Sequence, residues 1–490
     1  MNYLGLDVGT TRCKCQLFSD TGEILSERSC EYAFLRKEGE YYADLRAIRE
    51  KAFGLIGEIA REYVIDSICI SSFGESFVLL GRDDEVLFDP MLYTDPRGKE
   101  EAEEILRTFG KEIFFATGVV PQSMFSLSKL LWIKKHAPDA LAKAEKLLLI
   151  CDYLGYLLTG ERIIDYALAA RTGAFNLTRK NFDEGILNSF SIDRALFSRP
   201  MPAGSIVGEV KADLKKELGI KGKCTVVLGS HDQVCAALGA GAISEGDAVD
   251  GMGTVECLTV LFRERPQDIR MGEQGYVVVP YAVGGLYCTY MLNYSCGSLV
   301  NWYRKKLLHG YRGAARSEFE YLESQMKEEP TGILLLPYFG GAATPYQNVD
   351  AKGAIVNLTL STGDADIYRA IMEGTAMEMR LNAETAKRYG IKVKHAVATG
   401  GCANSEKWLQ LKADIQNISV STLRSSEGGL CGCAMLSALA MGSAKSWEEA
   451  KRTFVREKAQ YFPHKDRYLA YESQYRKYRK LYQTLKETEK

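Results

Sequence analysis

The sequence lacks a charge imbalance, a membrane-length apolar run and a cysteine framework. Its 490 residues carry a formal net charge of -1, so no basic field points to nucleic acid and no acidic tail to a polycation. No apolar run reaches the roughly 18 residues of a membrane span. Met1-Asn2-Tyr3-Leu4 leads straight into a strand pattern, without the basic-then-apolar layout of a signal peptide. The 13 cysteines are scattered. An odd number without framework spacing suggests free thiols and a cytoplasmic protein. Cys13/Cys15 and Cys431/Cys433 are C-x-C pairs with no histidine nearby, and strand alternation or helix packing explains them at least as well as zinc. There is no G-x-x-x-x-G-K-[ST] to suggest a P-loop. Gly239-x-Gly241 lacks the third glycine of a dinucleotide fingerprint.

What is present reads as a soluble α/β protein. The hydrophobic fraction is 46% and the charged fraction 26%, which is ordinary for globular chains. The length exceeds what one core usually serves. Glycine and polar residues cluster near Gly241–Asp247, which divides the chain into 1–243 and 244–490, the second part ending in a charged helical tail. Strands are expected over Tyr3–Val8, Cys13–Phe18, Ile24–Cys30, Val64–Ser71, Cys224–Gly229, Glu256–Phe262, Gly275–Val279, Leu286–Met291 and His395–Thr399. Helices are expected over Leu45–Tyr63, Lys99–Phe109, Ser128–His136, Ala140–Lys146, Val234–Ala242, Ile367–Tyr389, Lys407–Ile415 and Cys431–Met441. The alternation argues for layered α/β domains. Tyr461–Tyr482 is rich in tyrosine and reads as a surface helix packing back on the body.

The most informative feature is an echo. Asp7-Val8-Gly9-Thr10-Thr11, with Lys14 beyond it, is matched far downstream by Asp250-Gly251-Met252-Gly253-Thr254. Two such turns suggest two related halves. Glycine lets a backbone come close to a ligand, and exposed N–H groups with threonine hydroxyls make an anion cradle. Lys14 would add positive charge, and Asp7 at a strand end is placed to hold a hydrated magnesium ion. The alternative is a hairpin whose glycine serves only the turn. Asp232 follows a buried strand beside His231 and Gln233. A carboxylate there suits the proton of an attacking hydroxyl, but position alone slightly favours a cap on the following helix. Thr399-Gly400-Gly401-Cys402-Ala403-Asn404 is another strand-to-helix turn. It admits close approach of a flat or charged group, or it is simply structural.

Together these pieces resemble the FGGY carbohydrate kinases, the group that includes glycerol, xylulose, rhamnulose and fuculose kinases. Met124-Phe125-Ser126-Leu127-Ser128-Lys129-Leu130-Leu131-Trp132-Ile133 fits the family's first signature. Gly353–Leu358, followed by Asp366-Ile367 and Ala370–Glu373, fits the second, with Asn357 where glycine is usual. Pro337-Tyr338 and Thr344-Pro345-Tyr346 are similar to the preceding loop. The resemblance runs nearly end to end. It implies two actin-like, ribonuclease H-like α/β domains with an ATP and sugar cleft between them, and transfer of the ATP γ-phosphoryl group to a sugar or polyol hydroxyl. It further implies that Asp7, Gly9, Thr10, Thr11 and Lys14 form the first phosphate loop, and Gly253 and Thr254 the second. Gly297 and Asn301 become further nucleotide contacts, and Gly400, Gly401 and Asn404 the adenosine turn. Asp232 becomes the catalytic base, overriding the cap.

Acceptor specificity is expected in the first domain, from Glu75, Asp95, Asp232 and Gln233. Glycerol kinases place Arg-Glu, and xylulose kinases Met-His, where this chain has Gly74-Glu75. Gln233 is similar to glycerol kinase, whereas Met124 departs from it. Phe73-Gly74 and Tyr93–Arg97 look more like deoxyhexulose kinases. Glu75 and Asp95 are otherwise readable as solvated loop carboxylates. A xylulose-type pentulose is the expected acceptor, with deoxyhexulose or glycerol behind it, and ATP and Mg2+ the expected cofactors. Homodimers are common in the family, so a second copy is an expected partner. The competing class is an actin-like ATPase without sugar kinase activity.

Overall fold

The computed structural model describes residues 1–308, 315–425 and 427–488. The first sheet is organised on β1 (Asn2–Val8), whose residues are mostly buried on both faces, as a central strand requires. β2 (Arg12–Ser19) and β3 (Ile24–Glu31) fold back antiparallel in turn, with Asp7 opposite Lys14 and Val8 opposite Cys13. Helix α1 (Leu45–Glu62) starts where the Asp44 carboxylate accepts the Ala47 N–H at 2.9 Å. It buries Ile48, Ala52, Leu55, Ile56 and Ile59, the stripe expected from their spacing. β4 (Ser67–Ser72) then lies parallel to β1. Helix α2 (Ser126–His136), strands β5 (Ile206–Glu209) and β6 (Thr225–Val227), and helix α3 (Asp232–Gly239) follow. The sheet runs β5-β6-β4-β1-β2-β3, with β6, β4 and β1 mutually parallel.

The second sheet repeats this plan. β7 (Asp247–Met252) turns back into antiparallel β8 (Glu256–Phe262). β9 (Val279–Pro280), β10 (Tyr287–Asn293) and helices α4 (Gly297–Lys306) and α5 (Asp364–Lys387) come next. β11 (His395–Thr399), α6 (Glu406–Gln416) and β12 (Ser419–Leu423) complete the parallel core. The order is β9-β10-β8-β7-β11-β12-β13, where β13 is Glu457–Tyr461. Apart from β9, each strand has a counterpart in the first sheet. β7, β11 and β12 are parallel as β1, β4 and β6 are, and the β7–β8 hairpin stands where β1–β2 stands. The echoed glycine turns thus fall at the same corner of two sheets of one design.

Two expected elements differ. Gly275–Val279 is mostly a turn with only Val279–Pro280 paired, because Gly275 takes φ 83 and breaks the extended run. The helix expected at Ala140–Lys146 instead starts at Pro138, which suits a first helical position, and ends at Lys143; Lys146–Leu149 is a strand.

Compactness divides the chain into two units. One contains Met1–Ile243, Val277–Cys288 and Glu427–Val455; the other contains Ser244–Tyr276, Thr289–Ser426 and Arg456–Lys490. Helix α7 (Gly428–Ala440) therefore belongs to the first unit. It crosses α3 at backbone contact: a Cβ on Gly239 would fall 1.9 Å from the Gly428 carbonyl oxygen, and one on Gly432 would fall 2.1 Å from that of Cys235.

Helix α8 (Lys465–Thr488) packs on the second unit through Tyr471, Tyr475, Tyr478 and Tyr482, all buried. The Tyr471 hydroxyl donates to Glu373 at 2.9 Å, and those of Tyr478 and Tyr338 donate to Glu378 at 2.5 and 3.0 Å. Burial pushes the Glu378 carboxyl up to about 7 against those hydroxyls. Glu373 also pairs with Arg369 at 2.8 Å. Asn357 adopts φ 70, the left-handed region that glycine favours and asparagine tolerates. No helix among the described residues is long and apolar enough to cross a membrane.

The α3–α7 contact leaves no room for a methyl group. Gly432→Ala is expected to cost about 1–3 kcal/mol and to lower the melting temperature by several degrees in calorimetry. Gly54→Ala, in the middle of α1 with nothing within 4 Å of its added Cβ, is expected to raise it through a gain of roughly 0.5–1 kcal/mol.

Candidate functional site

In the first unit the site lies at the carboxyl ends of β1, β4 and β6, where parallel sheets present ligand-binding loops. Asp7 ends β1. The residue is half-buried, but its Oδ1 is buried and has no hydrogen-bond partner among the described residues. Burial, and then the charge of Asp232, pushes its carboxyl up to about 7. The amino end of α7 comes beside it: a Cβ on Gly429 would stand 3.5 Å from the Asp7 carboxylate. In the β1–β2 turn the Gly9 N–H donates to the Arg12 carbonyl at 2.9 Å, which leaves Thr10 and Thr11 at the tip, the latter exposed. The Lys14 ammonium is held at 2.8 Å by both oxygens of Glu427, so its charge is shared with a carboxylate.

Asp232 is the first residue of α3, and the helix is capped by His231. Asp232 Oδ1 accepts the Gln233 N–H at 2.6 Å and faces His231 Nε2 at 3.3 Å. It thus takes up one orphan donor of the first turn without occupying the cap position, while 36% of its side chain remains exposed. Burial raises its carboxyl to about 6, opposed by the Gln233 N–H and the Arg171 charge. Burial, and then Arg171, pushes His231 down to about 4, which keeps its ring neutral.

Around Asp232 stand groups that motif reading only half captures. Glu75 is buried at φ 64, a strained backbone for a glutamate. It is held by Ser126, whose hydroxyl donates to the Glu75 carbonyl at 2.6 Å, and by the buried Arg171, whose Nε donates to Glu75 Oε1 at 2.5 Å. Burial, and then the charges of Asp232 and Glu75, raise the Tyr93 phenol above its usual range. Arg171 was invisible to sequence reasoning. Its only signal is a cation ending the apolar run Tyr166–Ala170.

Asp95 does not join this group. Its side chain is 0% exposed and paired with Arg97 at 2.7 Å, and it also accepts the Tyr41 N–H at 2.7 Å. Burial works against its charge, but Arg97 and these N–H groups prevail and lower its carboxyl. The first signature sustains this knot. Lys129 is fully buried, donates to the Asp95 carbonyl at 3.0 Å and is pushed down to about 8 by burial. Arg97 lies 4.8 Å from the Trp132 ring centroid. Lys129 and Trp132 therefore fix the loop that carries Tyr93.

In the second unit the β7–β8 turn is pinned by the amino end of α4. Gly297 N–H donates to the Gly253 carbonyl at 2.9 Å and Ser298 N–H to that of Thr254 at 3.1 Å. A Cβ on Gly297 would stand 2.7 Å from the Gly253 oxygen, and one on Gly400 2.7 Å from that of Met252. Gly253, Thr254, Gly297, Asn301, Gly401 and Asn404 line one cavity of about 880 Å³. Gly400 lines an adjoining cavity of about 660 Å³, together with Gly401 and Asn404. The wider cavity has an aromatic wall that the motifs did not announce: Phe319 and Tyr368, stacked with centroids 5.5 Å apart, and Trp408. Such a wall suits a flat base, and the glycine turns suit phosphate. Asp250, the counterpart of Asp7, is instead paired at 2.5 Å with the buried Lys412, which Glu256 also contacts. Burial opposes the Lys412 charge, but the two carboxylates outweigh it and hold the ammonium protonated.

The family's sequence profiles, described as the N-terminal and C-terminal domains of the FGGY family of carbohydrate kinases, match residues 2–239 and 251–441. The chain belongs to the FGGY family of carbohydrate kinases. It is an ATP-dependent phosphotransferase with the family's two-domain, actin-like fold. A xylulose kinase of Bacillus subtilis is 27% identical over 476 residues, covering 94% of this chain and 93% of that one. A gluconokinase of the same organism is 27% identical over 467 residues, covering 91% and 88%. The crystal structure of a xylulose kinase from Rhodospirillum rubrum has a TM-score of 0.92 at 24% identity, covering 100% of this chain and 99% of that one.

For this FGGY kinase, the Gly297–Gly253 contact is expected to set the shape of the nucleotide cavity. Gly297→Ala should raise the KM for ATP by roughly tenfold or more and leave the acceptor KM nearly unchanged, as read by initial rates with each substrate varied in turn.

Proposed function

We propose that this kinase phosphorylates a small neutral ketose, a pentulose of the xylulose type first, with Asp232 as general base. The observation that carries the reading is the environment of Asp232. It is a partly exposed carboxylate at a helix start, ringed by Glu75, Arg171, His231 and Tyr93, with a raised proton affinity that suits a base near neutral pH. The likeness to a xylulose kinase over nearly the whole chain supports the pentulose. Glycerol is the second reading. It is favoured by Arg171, whose Cγ stands 3.5 Å from a Cβ placed on Gly74, at the position where glycerol kinases have arginine.

In this reading Glu75 and Gln233 orient the acceptor, and Asp232 takes the proton of the attacking hydroxyl as its oxygen meets the γ-phosphorus in line. The glycine turn of each unit is of a kind that meets phosphate, Lys14 stands beside the first, and the aromatic wall of the second unit suits the base. Phosphoryl transfer asks mainly for positioning and charge stabilisation. Among the described residues no group of three or more His, Cys, Asp or Glu side chains could hold a metal ion. The unpartnered Oδ1 of Asp7 fits a Mg2+ ion held through water. When bound, that ion would supply charge neutralisation.

Asp232→Asn is expected to lower kcat on xylulose by about 10²–10⁴-fold with ATP binding retained in calorimetry; a near wild-type rate would remove Asp232 from the base role. The base works only when ionised. In the wild type, kcat/KM for the ketose should therefore fall about tenfold per pH unit below about 6 and level off above it. A flat profile between pH 5 and 7 would contradict this assignment.

A further inference from the structure

Beside Asp232 stands a buried ion pair between Arg171 and Glu75. Arg171 and Glu75 are 6% and 2% exposed. Both Nε and Nη2 of the guanidinium meet the same carboxylate oxygen, Oε1. The pair is braced on each side. The Arg171 guanidinium carbon lies 5.1 Å from the Phe125 ring centroid. Arg171 closes the short helix Tyr166–Ala170, whose start is fixed by Asp165, and the Ser230 hydroxyl donates to Asp165 at 2.6 Å. The loop leading to Asp232 and the segment leading to Arg171 are thus one hydrogen-bonded unit.

Gly74 is the counterpart of this arrangement. A Cβ there would stand 3.0 Å from His231 Cδ2 and 3.5 Å from Arg171 Cγ. The absent side chain is replaced by two groups from distant segments. The charges near Asp232 then sum simply. Arg171 and Glu75 cancel, His231 is neutral, Asp232 supplies one negative charge, and Asp7 nearby is a second carboxyl, pushed up to about 7 by burial and by Asp232. A neutral hydroxyl chain meets no repulsion here, and a carboxylate oxygen accepts its hydroxyl hydrogens. A carboxylate-bearing acceptor meets two anions and a guanidinium already engaged.

We propose that Arg171 is a specificity-determining residue: paired with Glu75 above Gly74, its guanidinium is spent on that carboxylate rather than on an acidic acceptor, selecting neutral ketoses or polyols and rejecting aldonates. This rests on the sugar kinase reading and adds the element that separates acceptor classes.

The test compares the wild type, Glu75→Gln and Arg171→Met on xylulose, glycerol and gluconate, with kcat and KM measured separately and thermal melts of each protein. Glu75→Gln keeps the shape but removes the carboxylate that the guanidinium pairs with. It is expected to raise the gluconate-to-xylulose ratio of kcat/KM by roughly tenfold or more. Arg171→Met is expected to raise the KM for the neutral acceptor by about tenfold with a smaller change in kcat, and to gain no gluconate activity. A gluconate ratio that does not rise in a folded Glu75→Gln protein overturns the proposal, as does a wild type that prefers gluconate. Arg171→Met decides the matter even where Glu75→Gln does not melt cooperatively: an unchanged neutral-acceptor KM, or a gain of gluconate activity, overturns the proposal. A wild type inactive on all three acceptors would instead sink the acceptor reading on which the proposal stands.

Discussion

The structure of the first unit depends on one contact, the crossing of α3 and α7 at backbone distance. Gly239 and Gly432 allow it, because each would place a methyl group inside the other helix's backbone. The closeness brings two helix starts to the end of β1. One begins with Asp232, and the other passes Gly429 beside the Asp7 carboxylate. Helix amino ends favour negative charge, yet both carboxyls are raised because burial outweighs that stabilisation. The contact therefore sets the position of the two carboxylates and also their readiness to take a proton or a cation.

The two sheets show how one design can be spent in two ways. Asp7 and Asp250 occupy matching strands of matching sheets. Asp250 is neutralised by Lys412, with Glu256 as a second partner, and becomes part of the core. Asp7 has no such cation at contact distance; Lys14, opposite it in β2, turns to Glu427. A buried charge with a good partner is structural, whereas one without is costly and is kept where a ligand can use it. The duplicated turn is present in both halves, while the acid is ion-paired to a buried lysine in only one.

Much of this was legible in the sequence, and the remainder was not for physical reasons. The 2.0 and 3.6 periodicities mark α1, β8, β11 and α5 because each buries one stripe or both faces of a regular element. The glycine turns are legible because close backbone approach admits few residues. Lys129, Trp132 and Glu373 stand out as motif residues, but their motif does not disclose their work. Lys129 and Trp132 brace a loop, and Glu373 anchors a helix. Arg171, Phe319 and Tyr368 belong to no local pattern, since partners distant in sequence bring them to their sites. Nothing in the sequence marks Gly428–Ala440 as part of the first unit, because that membership is a matter of contacts across more than half the chain.

The return of α7 also has a consequence for biosynthesis. The first unit has its sheet complete once β6 and α3 have left the ribosome, but the helix that covers α3 and β1 is encoded almost two hundred residues later. At ordinary translation rates that interval is on the order of 10–40 s. Throughout it the nascent chain must shield an apolar surface whose partner does not yet exist. A fold with this threading cannot mature domain by domain. Its first unit closes only after α7 has emerged, late in synthesis.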